Sequence, residues 1–174
     1  MNIFVLDNDP ELCASYHCDR HVVKMILEHC QMISTVYDKY TGMSFYKPCY
    51  KKHPCTIWVG ECIENFNWLC ALTYQLNNEW KIRYPKVLNL DHESLNKMRR
   101  FNIANYNSLH KVMPSFGKMT PFAQAMPVDC KDPDPVIAYR KYYVNHKSHL
   151  HNWKIRNAPT WITDPTYKLN TVGV

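Results

Sequence analysis

The sequence predicts a mainly α protein: one compact helical domain over residues 1–174, with a short extended N-terminal segment and long proline-rich loops. Three observations carry this. Apolar residues recur at helical spacing along two long stretches, one ending at Gly42 and one before Pro85. No convincing alternation of polar and apolar residues marks a β-sheet. A chain of 174 residues, 46% hydrophobic and with five tryptophans, can bury a core without staples.

The elements follow in order. Ile3-Phe4-Val5-Leu6 is strand-like in composition. Asp9-Pro10-Glu11 reads as a helix start, with Asp9 as N-cap and Pro10 in the first helical position. This short helix or turn runs to about Tyr16 and leads into a long helix that Gly42 can terminate. Residues 43–55 form a loop broken by Pro48 and Pro54. Thr56 opens a second long helix, with Ile57, Gly60, Ile63, Trp68, Leu72 and Leu76 on its apolar face and Glu61, Asn65 and Gln75 off it. A third, more polar helix spans Ser94 to about Asn107. Pro114, Gly117, Pro121, Pro127 and Pro133 make residues 111–133 a loop. Asp134-Pro135 starts a fourth helix reaching about Asn145, and the tail from Asn157 is irregular.

The segment from Tyr16 to Glu28, read as one helix, places His17, His21, Lys24 and Glu28 within about 60° of one another. Val22, Val23, Ile26, Leu27, Cys30 and Ile33 take the other side and predict a core face. Two imidazoles, an ammonium and a carboxylate in one row are groups that move protons or hold anions near neutral pH. The stripe is expected to form one concave, solvent-reachable site, with His53 arriving from the start of the second helix.

Composition narrows the partners. No apolar run approaches a membrane span, and Asp7 and Asp9 interrupt any secretory signal at the N-terminus. The expectation is a soluble cytoplasmic protein, the host cytoplasm if phage-encoded. The eight cysteines include no C-x-x-C pair, so reduced thiols buried as small hydrophobes are expected. Charge is uneven: residues 1–80 carry 6 Lys/Arg against 9 Asp/Glu, and residues 81–174 carry 15 against 6. An acidic half holding the chemistry beside a basic half suits a polyanion gripped by one and processed by the other. Arg99, Arg100, Arg140 and Lys141 are the candidate grip, which makes duplex DNA or a nucleotide the expected partner, with no membrane and no cofactor. Oligomeric state is left open.

Other chemistries fit less well. A histidine pair at i, i+4 can bind zinc, yet the H-E-x-x-H pattern fails because Cys18 follows His17. If a metal is held here, His17 and His21 are its ligands. Cys18 as nucleophile would point about 100° away from its neighbour His17. In Thr120-Pro121-Phe122-Ala123-Gln124-Ala125-Met126-Pro127, Gln124 could read a base edge or satisfy nearby backbone groups.

Four blocks in order carry a resemblance: Met1-Asn2-Ile3-Phe4-Val5-Leu6-Asp7; Tyr16 to Met25; His53-Pro54-Cys55-Thr56-Ile57-Trp58-Val59; and Thr120 to Pro127. Together they resemble a family of phage and phage-like proteins of similar length, some described as pyrimidine-dimer DNA glycosylases or endonuclease V-like enzymes. The resemblance implies a compact helical enzyme that flips a base out of damaged DNA and attacks the sugar C1′ with its N-terminal amine. Strand cleavage then passes through a Schiff base, helped by a carboxylate on an early helix. On this chain the implied nucleophile is the Met1 amine and the carboxylate is Glu28, with His17, His21 and Lys24 beside it and Asp19, Arg20, His53 and Trp58 as binding residues. The bulky Asn2 predicts that Met1 is retained. Two alternatives stay open: an enzyme processing nucleotides or modified bases through His17 and His21, and a non-enzymatic anti-defence or nucleotide-binding protein.

Overall fold

The computed structural model describes residues 1–87, 90–100 and 103–169, and its first helix begins where the sequence places the first cap. The Asp9 carboxylate accepts from the Glu11 and Leu12 amides at 2.9 Å and starts α1 (Pro10–Tyr16). The chain breaks at His17 and Cys18, both extended, before α2 (Asp19–Thr41). Gly42 closes α2 in the left-handed region at φ 71°, where its missing Cβ removes the steric penalty.

The expected second long helix is two helices, α3 (Pro54–Val59) and α4 (Ile63–Arg83). The Gly60 amide turns back onto the carbonyls of Thr56 and Ile57, while the Asn65 side-chain amide donates to Trp58 O at 2.8 Å. Asn65, expected off the apolar face, is therefore buried as the clasp between the two helices. The expected third helix falls on α5 (Glu93–Arg100) and α6 (Ile103–Val112), with residues 101–102 outside the described ones, and α7 (Pro135–His146) starts on Asp134. Its carboxylate accepts from the Val136 amide at 2.8 Å. The tail adds two short 3-10 turns, at Thr160–Ile162 and Pro165–Tyr167. No strand occurs among the described residues, and none of their helices is long and apolar enough to cross a membrane.

α2 packs along α4, and α1 lies against α4 as well. Val22, Ile26, Cys30 and Ile33 are buried as expected, but Leu27 is exposed and Val23 half-buried. All eight cysteines are free thiols.

A buried charge network joins three parts of the chain. Arg83, 2% exposed at the end of α4, donates to the carbonyls of Ser15 and His17 and to the carboxylates of Asp19 and Glu79. Asp19 also accepts from Asn152 Nδ2 and from the Lys154 amide, and Glu79 from Arg156. The α1–α2 corner, the end of α4 and the tail are thereby fastened together. Loss of one member from such a set leaves its partners charged, buried and unpaired.

Three histidines lie in this interior. Burial lowers His17 to about 4 against an ordinary value near 6.5. Burial, with the neighbouring His17 and Lys147, lowers His21 to about 3, and burial holds His29 well below its usual value. Below pH 6.5 the unfolded chain binds protons that the folded chain refuses, so stability must fall as pH drops. Each histidine contributes about 1.4 kcal/mol per pH unit in that window. Urea unfolding should therefore show a steep loss of stability between pH 6.5 and 5 and a plateau above 7; equal stability at pH 7 and 5 would contradict the burial.

Candidate active site at the N-terminal amine

Ile3, Phe4, Val5 and Leu6 form an extended segment threaded through the core, each 4% exposed or less. Without a neighbouring strand, side chains satisfy much of its backbone. The Leu6 amide donates to Cys13 Sγ, the Cys13 thiol donates to Phe4 O, and Arg140 Nε donates to Leu6 O at 2.9 Å. Phe4 stacks on the His21 ring at 4.4 Å.

Asn2 fixes the outer end. Its Nδ2 donates to Ala125 O at 2.9 Å, and its Oδ1 accepts from the Ile3 amide, the Tyr139 hydroxyl and the Cys55 thiol. The Asn2 backbone amide donates to Glu28 Oε2 at 3.0 Å, and the Met1 amine stands 3.6 Å from that same oxygen. Lys24 Nζ, one turn earlier on α2, lies 3.3 Å from Glu28 Oε1. The Met1 sulfur receives the Thr56 hydroxyl at 3.9 Å, which turns its side chain inward.

His53 completes the cluster as N-cap of α3. Its Nδ1 accepts from the Cys55 amide at 3.2 Å, so in the neutral ring the proton sits on Nε2. Burial lowers its pKa, the Met1 ammonium lowers it further, and Glu28 acts in the opposite direction. The result is an amine, a carboxylate and a neutral imidazole at one locus, with a lysine at the edge. A carboxylate within 4 Å of an amine can hold or remove its proton and can stabilise positive charge on the atom the amine attacks.

The rest of the expected stripe does not join this locus. His17 sits at the break between helices, wholly buried, its Nδ1 donating to Cys13 O at 2.7 Å. His21 Nδ1 shares a hydrogen bond of 2.8 Å with the Tyr143 hydroxyl, which itself accepts from the Cys18 amide. Both histidines are core groups, so proton transfer or metal chemistry on a small substrate lacks its reagents there. Cys18 is buried as well. The break takes His17 off the helix, while His21 keeps its phase on α2 and is covered by Phe4 and Tyr143.

Several expected binding residues are committed inside the fold. Asp19 belongs to the Arg83 network. Trp58 is 2% exposed, packed against Trp68 and Phe122 with Nε1 donating to Thr120 O. Gln124 exchanges hydrogen bonds with the backbone of Asp132, which is the local role open to it from the sequence. Arg140 is taken by Leu6, Asp7 and Tyr167, Lys141 by Asp132 and Arg99 by Asp91. Arg20 and Arg100 remain exposed. Asn2, Tyr139 and Thr56 are the site residues that the sequence did not signal; no local pattern distinguishes an anchoring asparagine or tyrosine from a packing one.

A family model described as pyrimidine dimer DNA glycosylase matches residues 1–92, the stretch that carries Met1, Lys24, Glu28 and His53. No curated protein and no solved structure matches the chain.

The anchoring of the amine is open to direct measurement. Asn2→Ala takes the side-chain partner from the Ala125 carbonyl and the Ile3 amide and frees the first residue, and should cost about 1–3 kcal/mol in denaturant unfolding. A change within about 0.5 kcal/mol, ordinary for a surface substitution, would mean that Asn2 does not hold the segment.

Proposed function

The chain belongs to the pyrimidine dimer DNA glycosylase family, and on that premise we propose that it excises damaged or modified pyrimidines from duplex DNA and then cleaves the strand. The nucleophile is the Met1 amine and the catalytic carboxylate is Glu28. The observation that carries this reading is the approach of the two groups to 3.6 Å, at the end of a segment whose burial fixes the amine in place.

The steps follow from the groups present. Glu28 takes a proton from the Met1 ammonium, and the freed nitrogen attacks C1′ of a nucleotide turned out of the stack. The bond from C1′ to the base breaks, and the base leaves with the electron pair and acquires a proton. Loss of the second amine proton and opening of the sugar ring leave an imine between the Met1 nitrogen and C1′. Removal of a C2′ proton then expels the 3′ phosphate, and water releases the enzyme. Glu28 gives up the proton it took from Met1 as the base departs, and its carboxylate then stands next to the positive charge of the protonated imine. His53, neutral and protonated on Nε2, donates to a sugar or phosphate oxygen.

On this reading the phosphate grip is Arg20 and Lys24 of α2 with Lys147, which follows α7, in place of Arg99, Arg140 and Lys141, whose charges are paired. Arg20 and Lys24 are exposed and one turn apart on α2, and Lys147 with Lys24 lies close enough to lower the pKa of His21. Cations in such a row neutralise successive phosphates.

Two experiments test the reading. Glu28→Gln should abolish strand cleavage of ultraviolet-irradiated duplex and leave DNA binding nearly unchanged, while acetylation of the amine should eliminate the borohydride-trapped imine. Full cleavage after both changes would overturn it. For the grip, Arg20→Ala and Lys147→Ala should each weaken binding and reduce the slope of log K against log salt by about one. Lys141→Ala, which removes a charge already paired with Asp132, should leave the slope as it is; the reverse pattern would return the grip to Arg99, Arg100, Arg140 and Lys141.

A further inference from the structure

Away from the amine, Asp129 and Cys130 occupy a 3-10 turn (Val128–Cys130) beside the end of α7, whose last residue is His146. A carboxylate oxygen, the thiol sulfur and an imidazole nitrogen of these residues all lie within 4.8 Å of one another. His146 Nε2 is 3.5 Å from Asp129 Oδ2, close to the separation of about 3.4 Å between two ligands on a tetrahedral ion with bonds near 2.0–2.1 Å. That nitrogen is shut off from solvent and makes no hydrogen bond. Its ring leans on Tyr142, centroids 5.5 Å apart, so it is held facing the cluster.

We infer that Asp129, Cys130 and His146 bind one divalent transition-metal ion of zinc's class, a site separate from the amine and its carboxylate. The donor set of one sulfur, one nitrogen and one oxygen is that of zinc rather than magnesium or calcium, which take oxygen ligands. Binding displaces one proton, as the Cys130 thiol becomes a thiolate while His146 binds as the neutral ring. Thiolate and carboxylate then balance the charge of the ion. Cys130 is buried and Asp129 exposed, which leaves the fourth position on the solvent side for a water.

The consequence is mechanical. The proline-rich loop that presents Ala123 and Ala125 to Tyr139 and Asn2 runs directly into this turn. A metal there staples that loop to the end of the helix that carries Tyr139.

The test uses the full chain. Metal-free protein titrated with zinc should take up one equivalent and unfold at a higher temperature. With cobalt in place of zinc, it should show the thiolate-to-metal charge-transfer band. Cys130→Ser should abolish the band, and Asp129→Asn should weaken zinc binding by on the order of 100-fold. Asp129 is exposed, so this isosteric change keeps the fold even if the cysteine variant does not, and Cys49→Ser serves as the unaffected control. Failure to bind one equivalent, a band that survives Cys130→Ser, or affinity unchanged in Asp129→Asn would each overturn the proposal, the last leaving Asp129 and His146 as a simple ion pair.

Discussion

A buried extended segment with no sheet around it is the constraint from which the rest of the structure follows. Its peptide groups cannot be left unpaired in the core, since each would cost about 1–3 kcal/mol. They draw in partners from elsewhere: the Cys13 thiol from α1 and the Arg140 guanidinium from α7. α7 must therefore lie alongside the segment, and the same placement brings Tyr139 to Asn2 and Tyr143 to the α1–α2 break. The position of the amine is a by-product of satisfying these groups.

The Arg83 network acts on the other end of the same problem. It sets the corner between α1 and α2, and so fixes the rotational phase at which α2 starts. Glu28 lies about two and a half turns beyond Asp19, so an error in that corner would carry the carboxylate to another face. Four of the cations that make the second half basic (Arg83, Arg99, Arg140 and Arg156) are committed to carboxylates or carbonyls. Three of them, Arg83, Arg140 and Arg156, pair with carboxylates of the first half, so part of the charge asymmetry is complementarity between the two halves.

Local chemistry was legible in the sequence, and distant chemistry was not. Asp9 with Pro10, Gly42, and Asp134 with Pro135 mark helix ends through bonds between near neighbours in the chain, and each is found where it was expected. The proximity of Glu28 to the first residue followed from the family resemblance and from the extended run upstream. The fate of His17 was hidden because the break at Cys18 is held by Tyr143, 125 positions away, and that of His21 because Phe4 and the same tyrosine cover its ring. The split between α3 and α4 was hidden for a related reason: Gly60 fits a helix's apolar face as well as its end. Asn65 and the Ile63 amide decide the matter by bonding to Trp58 and to Pro114.

The anchors of the amino-terminal segment have a consequence for how the chain folds as it is made. Asn2 waits for Ala125 and Tyr139, Leu6 for Arg140, and Tyr16 for Trp153, separations of 123 to 137 residues. Contacts of that range close late, because the entropy of the intervening loop is lost before they form. The residues of the amino-terminal segment are thus among the last to be locked. A nascent chain that has reached only the end of α4 already contains both Met1 and Glu28, yet it lacks what joins them. The approach of the Met1 amine to Glu28 comes into being only with the completed fold.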